Sequence, residues 1–402
     1  MLDELNIKNM NILNINDAVS LIPQNTKVVF ITGVTGQDGS YLVDYLLKNT
    51  SYMIFGGARR LSVSNHNNLD TIQPNSNRFA LVNFDLTDSQ SISSVVKILQ
   101  PDYFVNLAAQ TFVGSSWDFP IQTWDSNTTS VIHMLEAIRH HKPTCRFYNA
   151  GSSEEYGNVE YTPQDEKHPS KPRSPYGASK SAARQVVKVY RESYNLYAIQ
   201  GLLFNHESPK RGEEFVTRKI TKGVARIKKA LLENKQFDSI ELGNIYAQRD
   251  WSDAQDFVDG IWRMLNQEQY RDDLKEYRFT PNTESYAKLV KNLKEYVLSS
   301  EETHSIKEFV ELAFKYADIQ GQWHGNCENE EFSFTPDDVY KYNPKNSVLV
   351  KINKKYYRPA EVDLLLGNST LAKTELKWLP NTKFNQLVEK MVMNDLFLIM
   401  DN

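Results

Sequence analysis

Lys27-Val-Val-Phe-Ile-Thr32, followed at once by Gly33-Val-Thr-Gly36-Gln-Asp-Gly39, constrains this chain more than any other stretch. A short apolar run rich in β-branched residues marks a strand buried on both faces of a parallel sheet. The glycines call for a tight turn, and Ser40-Tyr-Leu-Val-Asp-Tyr-Leu-Leu47 then carries apolar residues at helical spacing. Strand, glycine turn and helix in that order set free N–H groups and the positive end of a helix dipole where a pyrophosphate can approach the backbone. Gly33, Thr35, Gly36, Gln37, Asp38 and Gly39 are the candidate cofactor residues of this turn. The alternative is a tight turn with no ligand, since glycine patterns also arise by chance.

The alternation continues down the chain. Strands are expected at 52–58, 79–84, 103–107, 145–150 and 197–204, with helices at 89–99, 128–140 and 179–194. Strands alternating with helices predict an α/β fold, a doubly wound parallel sheet covered on both faces. After Phe204 the rhythm breaks. A helix is expected near 216–232, a strand near 239–242 and a helix at 256–265; a charged stretch at 270–294 has no place in the pattern. Helices at 305–316 and 384–398 and a strand at 347–352 complete the reading. The expected division is an Asn-rich extension at 1–26 outside the main fold, a nucleotide-binding domain at 27–205 with 250–300 returning to it, and a smaller α/β substrate-binding cap from 206–249 and 301–402.

Composition removes other classes. Of 402 residues, 40% are hydrophobic, enough for a full core. The net charge of −4 offers no basic excess for nucleic acid. The two cysteines are far apart, which argues against a disulfide scaffold or a metal site and for a reducing, cytoplasmic setting. No run approaches the roughly 18 apolar residues of a membrane helix, and the N-terminus lacks the pattern of a secretory signal.

Cofactor contacts are expected where strands end. Arg59 and Arg60 follow the second strand. An acidic residue there would bond a ribose hydroxyl, whereas arginine suits a 2′-phosphate, which favours NADP over NAD. A solvated surface turn is the alternative. Asp85 and Leu86 end the third strand on the adenine side; Leu107, Ala108 and Gln110 end the fourth near the cofactor's sugar.

Tyr176-Gly-Ala-Ser-Lys180 sets a phenol and an ammonium one helical turn apart. A phenol is a poor base at neutral pH, and a cation beside it favours the phenolate, which can then take a proton from a sugar hydroxyl. The preceding strand end reads Ala150-Gly-Ser152-Ser153-Glu154-Glu155. Ser152 can bond the same hydroxyl. Glu154 adds a carboxylate able to move a carbon-bound proton, with a loop-capping role as the alternative. Glu155 reads as an exposed neighbour.

Several strings together resemble one family: ITGVTGQDGSYL, FVGSSWDFP, PRSPYGASK, LFNHESPKRGEEFVTRKI, LGN with RDW, and YYRPAEVDLLLGN, spread from residue 31 to residue 368. The chain is identified as resembling the extended short-chain dehydrogenases/reductases, and among them the GDP-mannose 4,6-dehydratase family, with LFNHESP and RPAEVD the most specific strings. The resemblance implies a Rossmann-type fold, NADP, and conversion of GDP-D-mannose to GDP-4-keto-6-deoxy-D-mannose. It implies that Tyr176, Ser152 and Lys180 support oxidation at C4, and that Glu154 takes the C5 proton as the C6 hydroxyl leaves. Hydride then returns to C6. It further implies His206 and Arg211 on the cofactor, and Ser116, Asn205, Val216, Arg218, Lys219, Leu242, Gly243, Arg249, Arg358 and Glu361 on the nucleotide sugar. For Arg249 a structural ion pair with Asp250 is the alternative.

The chain also departs from the family. Gly151-Ser152 stands where Ser-Thr is usual, and Tyr246 and Gln248 replace an acid and a base near the nucleotide, which bears on guanine specificity. Asn-His-Asn-Asn at 65–68 replaces a loop arginine that reaches the neighbouring subunit, so a homodimer and a homotetramer both stay open. Leu-Ser-Ser-Glu-Glu-Thr-His304 replaces a Thr-Gly-Glu-Thr-His ending. An epimerase or reductase on the same fold, and a non-catalytic nucleotide-sugar binder, are the rival readings; Glu154 argues against the first and the intact Ser152, Glu154, Tyr176 and Lys180 set against the second.

Overall fold

The computed structural model describes residues 12–59, 67–70, 72, 77–342, 344, 346–357, 362 and 364–400. The early apolar runs form strands β1 (Val28–Thr32), β2 (Met53–Ala58), β3 (Phe79–Asn83), β4 (Tyr103–Asn106), β5 (Arg146–Ala150) and β6 (Ala198–Leu203). The short strands β7 (Asn205–Glu207), β8 (Ile240–Leu242) and β9 (Gln248–Asp253) come next, then β10 (Val297–Leu298) and β11 (Thr303–Ser305). β12 (Gly321–His324), β13 (Glu331–Phe334), β14 (Val348–Ile352) and β15 (Leu364–Leu365) end the series.

Two compact units result. The first comprises the described residues up to Phe204, Ala254–Leu298 and Gly367–Leu379. Its sheet has seven strands in the order β10-β6-β5-β4-β1-β2-β3, all parallel. Both faces are buried because successive side chains point to opposite sides. Phe30, Phe55, Phe104 and Phe147 pack on one face with Val95, Leu135 and Val187. Val29, Ile31, Ile54, Val105 and Ile199 pack on the other with Leu42, Phe257 and Trp378. Strand order reverses between β1 and β4, which opens a crevice at their carboxyl ends, the place where such sheets receive ligands.

Three expectations change. Residues near 12–26 are not outside the fold: Leu13 bridges Val82, Asn14 caps a helix at Ile15–Val19, and Ala18 is buried with Ile15 and Ile22 packed beside it. The apolar residues hidden in the Asn-rich stretch cover the β3 side of the sheet. The charged stretch at 270–294 is likewise integrated. It holds a helix at Glu284–Lys291 whose Tyr286, Leu289 and Val290 enter the core, while its charges face out or pair. Finally, Gly367–Leu379 returns to the first unit, where Trp378 is fully buried and donates from Nε1 to Asp256 O at 2.8 Å.

The second unit comprises the described residues of 205–253, 299–366 and 380–400. β9 pairs with β7, β11 and β15, and a separate sheet runs β12-β13-β14-β8. Helices Val216–Leu232, Ile306–Tyr316 and Phe384–Met400 enclose a core of Ile220, Val224, Phe309, Phe314, Leu387 and Met391. Among the described residues no helix is long and apolar enough to cross a membrane.

Candidate active site

The glycine turn is built by close backbone approach. Gly33 has φ +66°, and a Cβ there would stand 2.8 Å from Ala108 N, at the end of β4. A Cβ on Gly39 would stand 2.6 Å from Val34 Cα. Only glycine lets β1 turn this tightly against its neighbour. Thr32 Oγ1 accepts from Leu107 N at 3.2 Å and Ala108 N at 3.1 Å, which ties the two strand ends together. Gly36 is the N-cap of the helix Gln37–Asn49 and supplies no side-chain cap, so the first N–H groups of that helix have no side-chain acceptor at the cap position. Thr35 O accepts from Asn68 Nδ2 at 3.0 Å, and Gln37 Nε2 donates to Asp38 Oδ1 at 3.0 Å. This cradle fits a dinucleotide pyrophosphate.

Arg59 is exposed just beyond β2, while Arg60 lies outside the described residues. The Thr87 N–H holds the Asp85 carboxyl below the usual carboxylate range, with help from the Thr87 hydroxyl and the charge of Arg59. Leu86 lines a cavity of about 560 Å³ with Phe119, Pro120, Ile121 and His133. Ser116 is buried, and its Oγ donates to Val113 O at 2.6 Å.

Ser152, Glu154, Tyr176 and Lys180 are held by two elements in close contact. The helix Pro175–Tyr194 begins earlier than its apolar spacing suggests, because Ser174 caps it and Pro175 occupies the first turn. Tyr176 and Lys180 therefore sit at its N-terminal end. Gly177, between them, would carry a Cβ 2.5 Å from Glu154 O, so glycine is what lets the helix press on the Glu154 backbone. Lys180 is buried and donates from Nζ to Ala150 O at 2.8 Å; Nζ lies 6.0 Å from the centroid of the Tyr176 ring. Burial pulls the lysine down to about 8, and the charges of Glu155 and Asp38 oppose that fall. Ser152 caps the turn Ser153–Glu155, its Oγ accepting from Glu154 N at 3.2 Å, which leaves the hydroxyl hydrogen to be donated elsewhere.

Two features escaped the sequence reading. Asn127 lies in a π turn at Asp125–Thr129, an irregularity common at functional sites. It accepts from Gln110 N at 2.9 Å and donates to Gln110 O at 3.0 Å and Ser179 Oγ at 3.1 Å. Ser179 Oγ in turn donates to Tyr176 O at 2.7 Å, so Asn127 ties the loop after β4 to the tyrosine's helix. The second is Glu155, which is fully buried rather than exposed. Burial raises its carboxyl to about 7. Asn127 sits in no pattern that marks it, because it acts through partners distant in sequence; for Glu155 the available signal is the Ser152-x-x-Glu155 capping box, which places its carboxylate on the Ser152 N–H.

In the second unit, Asn205 and His206 lie on β7 opposite Trp251 and Ser252. Val216 opens the helix Val216–Leu232. Lys219 Nζ stands 3.5 Å from the centroid of the Tyr356 ring. A Cβ on Gly243, just after buried Leu242, would come 2.5 Å from Tyr356 O. Lys219, Leu242 and Gly243 are thus brought together around Tyr356. Arg211 stacks on Phe215 at 3.7 Å and lies 3.2 Å from Glu207. Arg249 is buried and donates to Gln248 O at 2.8 Å, and Asp250 accepts from Ser300 N, Ser300 Oγ and Glu301 N. Arg218 is buried, with Nη2 2.7 Å from Asp395 Oδ1, an ion pair that the sequence does not announce because the two residues lie far apart along the chain. Tyr246 donates to Glu330 Oε2 at 2.5 Å. Arg358 and Glu361 lie outside the described residues.

The family model described as GDP-mannose 4,6 dehydratase matches residues 30–286 and 283–391. A Drosophila melanogaster protein described as GDP-mannose 4,6 dehydratase is 40% identical over 387 residues, covering 94% of this chain and 88% of the relative. A Homo sapiens protein of the same description is 38% identical over 391 residues, covering 94% of each chain. Among solved structures, dTDP-glucose 4,6-dehydratase from Bacillus anthracis in complex with NAD aligns with a TM-score of 0.66 at 19% identity, covering 92% of this chain and 96% of that one; this likeness concerns the fold.

Proposed function

This chain belongs to the GDP-mannose 4,6-dehydratase family, and we propose that it removes water from GDP-D-mannose to give GDP-4-keto-6-deoxy-D-mannose. One observation carries the reading: Tyr176 and Lys180 open a helix that Gly177 presses onto the backbone of Glu154, beside Ser152. A base for a hydroxyl and a carboxylate for a carbon-bound proton then share one edge of the sheet, a pairing that dehydration requires and simple alcohol oxidation does not.

The cofactor of this reading is a nicotinamide dinucleotide, and specifically NADP. Gly33, Thr35, Gly36, Gln37, Asp38 and Gly39 hold its pyrophosphate, Arg59 and Arg60 its 2′-phosphate, Asp85 and Leu86 its adenine end, and Leu107, Ala108 and Gln110 the sugar beyond. His206 and Arg211 complete the set. Two-electron redox chemistry at C4 and then C6 of the hexose is what the nicotinamide supplies when bound.

The residues move the protons. Tyr176 Oη takes the proton from O4, Ser152 Oγ donates to the same oxygen, and the Lys180 ammonium stabilises the charge that develops on Tyr176. The 4-keto group acidifies C5–H. Glu154 takes that proton and delivers it to the C6 hydroxyl, which departs as water. Ser116, Asn205, Val216, Arg218, Lys219, Leu242, Gly243, Arg249, Arg358 and Glu361 hold the nucleotide sugar, and Tyr246 and Gln248 bear on the choice of base. Homodimers or homotetramers and a cytoplasmic setting belong to the same reading, the latter supported by two free cysteines.

The test is incubation with GDP-mannose and NADP, followed by proton NMR. A new C6 methyl signal coupled to C5 is the expected result. Unchanged substrate overturns the proposal, and a hexose inverted at C4 that keeps its C6 hydroxyl gives the site to an epimerase.

A further inference from the structure

A row of buried polar side chains crosses the four central strands of the first unit. Thr32 Oγ1 donates to Asn106 Oδ1 at 2.6 Å, and Asn106 Nδ2 donates to Asn149 Oδ1 at 2.7 Å. Asn149 Nδ2 donates to Gln200 Oε1 at 2.6 Å, and Gln200 Nε2 donates to Glu155 Oε1 at 2.8 Å. Every donor in the row points the same way, so their dipoles add and end on Glu155. The same carboxylate oxygen accepts from Ser152 N at 2.9 Å and closes the capping box of the turn that carries Ser152 and Glu154. Gln200 Nε2 also reaches Lys180 O at 3.2 Å. Gly151 makes room for this arrangement, since a Cβ there would stand 2.6 Å from Glu155 Oε1. Glu155 Oε2 is buried with no hydrogen-bond partner among the described residues. A structural carboxylate is usually bonded through both oxygens.

We propose that Glu155 is a positioning residue for the reaction, whose carboxylate fixes the Ser152–Glu154 turn and sustains the positive charge of Lys180. The proposal rests on the roles given above to Ser152 and Lys180. The charged groups that act on Glu155 are Lys180 and Arg184 on the helix and Glu295, paired with Arg184 at 2.8 Å, while Glu155 itself raises the buried phenols of Tyr148 and Tyr156. Asp38 acts on Lys180 from the glycine turn. Burial works against the ammonium, and Glu155 is the first of the two anions that offset it.

Glu155→Gln keeps an acceptor for Ser152 N and Gln200 but removes the charge. The expected result is an alkaline limb of kcat displaced to lower pH by about one unit, with KM for the nucleotide sugar little changed. A purely structural carboxylate would lower activity or the melting temperature at every pH and leave the limb in place. The second readout needs neither cofactor nor substrate: the titration of Lys180, followed by the 13Cε resonance of labelled lysine in wild-type and variant protein, shifts down by the same amount. If Glu155→Gln does not fold, Glu155→Asp, which withdraws the charge by one methylene, is expected to give a smaller shift in the same direction. A Lys180 titration unmoved in the folded variant overturns the proposal. A wild-type protein inert toward GDP-mannose in which Glu155→Gln still shifts Lys180 sinks the dehydratase reading and leaves the Glu155–Lys180 coupling standing.

Discussion

The candidate site of the first unit and the interior of the second treat polar side chains in opposite ways. In the first, the groups around Ser152 and Tyr176 are held by neutral amides, hydroxyls and close glycine contacts, with the charges of Glu155 and Lys180 set at the end of the row. In the second, each buried carboxylate has its own cation: Asp395 with Arg218, Glu207 with Arg211, and Asp253 with Lys390 at 2.6 Å. A buried ion with a dedicated counterion is structure. A buried ion supported mainly by dipoles and a distant charge is costly to keep, and such groups gather where chemistry needs them.

The contrast is broken most severely at the first unit's phenol. Tyr176→Phe should lower kcat by about 10²–10⁴-fold with little change in melting temperature; a variant with near-normal turnover removes Tyr176 from its role. Glu154→Gln sharpens the same side. Oxidation should proceed and elimination should not, so mass spectrometry should find a 4-keto hexose that still bears its C6 hydroxyl, whereas a normal 6-deoxy product would contradict the role of Glu154. In the second unit the expected cost is stability instead. Arg218→Met leaves Asp395 buried without its cation and should cost about 3–5 kcal/mol in denaturant unfolding, most of it regained when Asp395→Leu is added. Loss of substrate affinity with unchanged stability would assign Arg218 to the nucleotide alone. The smallest effect belongs to the residues that follow β2. Replacing Arg59 and Arg60 together should weaken NADP about tenfold relative to NAD, in line with a lost phosphate contact; equal weakening of both cofactors would undo the 2′-phosphate assignment.

What was legible in the sequence follows from how local each feature is. β1, the glycine turn and the helix after it form one continuous segment, so strand propensity, turn demand and helix start all appear in order. Tyr176 and Lys180 stand one helical turn apart and need no partner elsewhere to be noticed. Apolar spacing puts the start of their helix too late, because Ser174 and Pro175 signal it through capping. The place of the charged stretch in the fold is hidden for a related reason. Arg146 lies buried against Tyr103, Tyr197 and Phe279, with Glu268 at 2.7 Å, so the chain near 270–294 serves as its cover. Nothing in that stretch itself announces the cation beneath it.

By itself the sequence determined the parallel α/β class and the glycine turn, and it nominated the serine, glutamate, tyrosine and lysine of the proposed site, since each depends on residues near one another along the chain. Only the tertiary structure decided which charges are available. Arg218 met Asp395 from the far end of the chain, and Glu155 was drawn inward by Gln200 and by the space that Gly151 leaves open. A side chain's type is written locally, but its protonation and its freedom to meet a ligand depend on burial and on partners that folding brings from a distance.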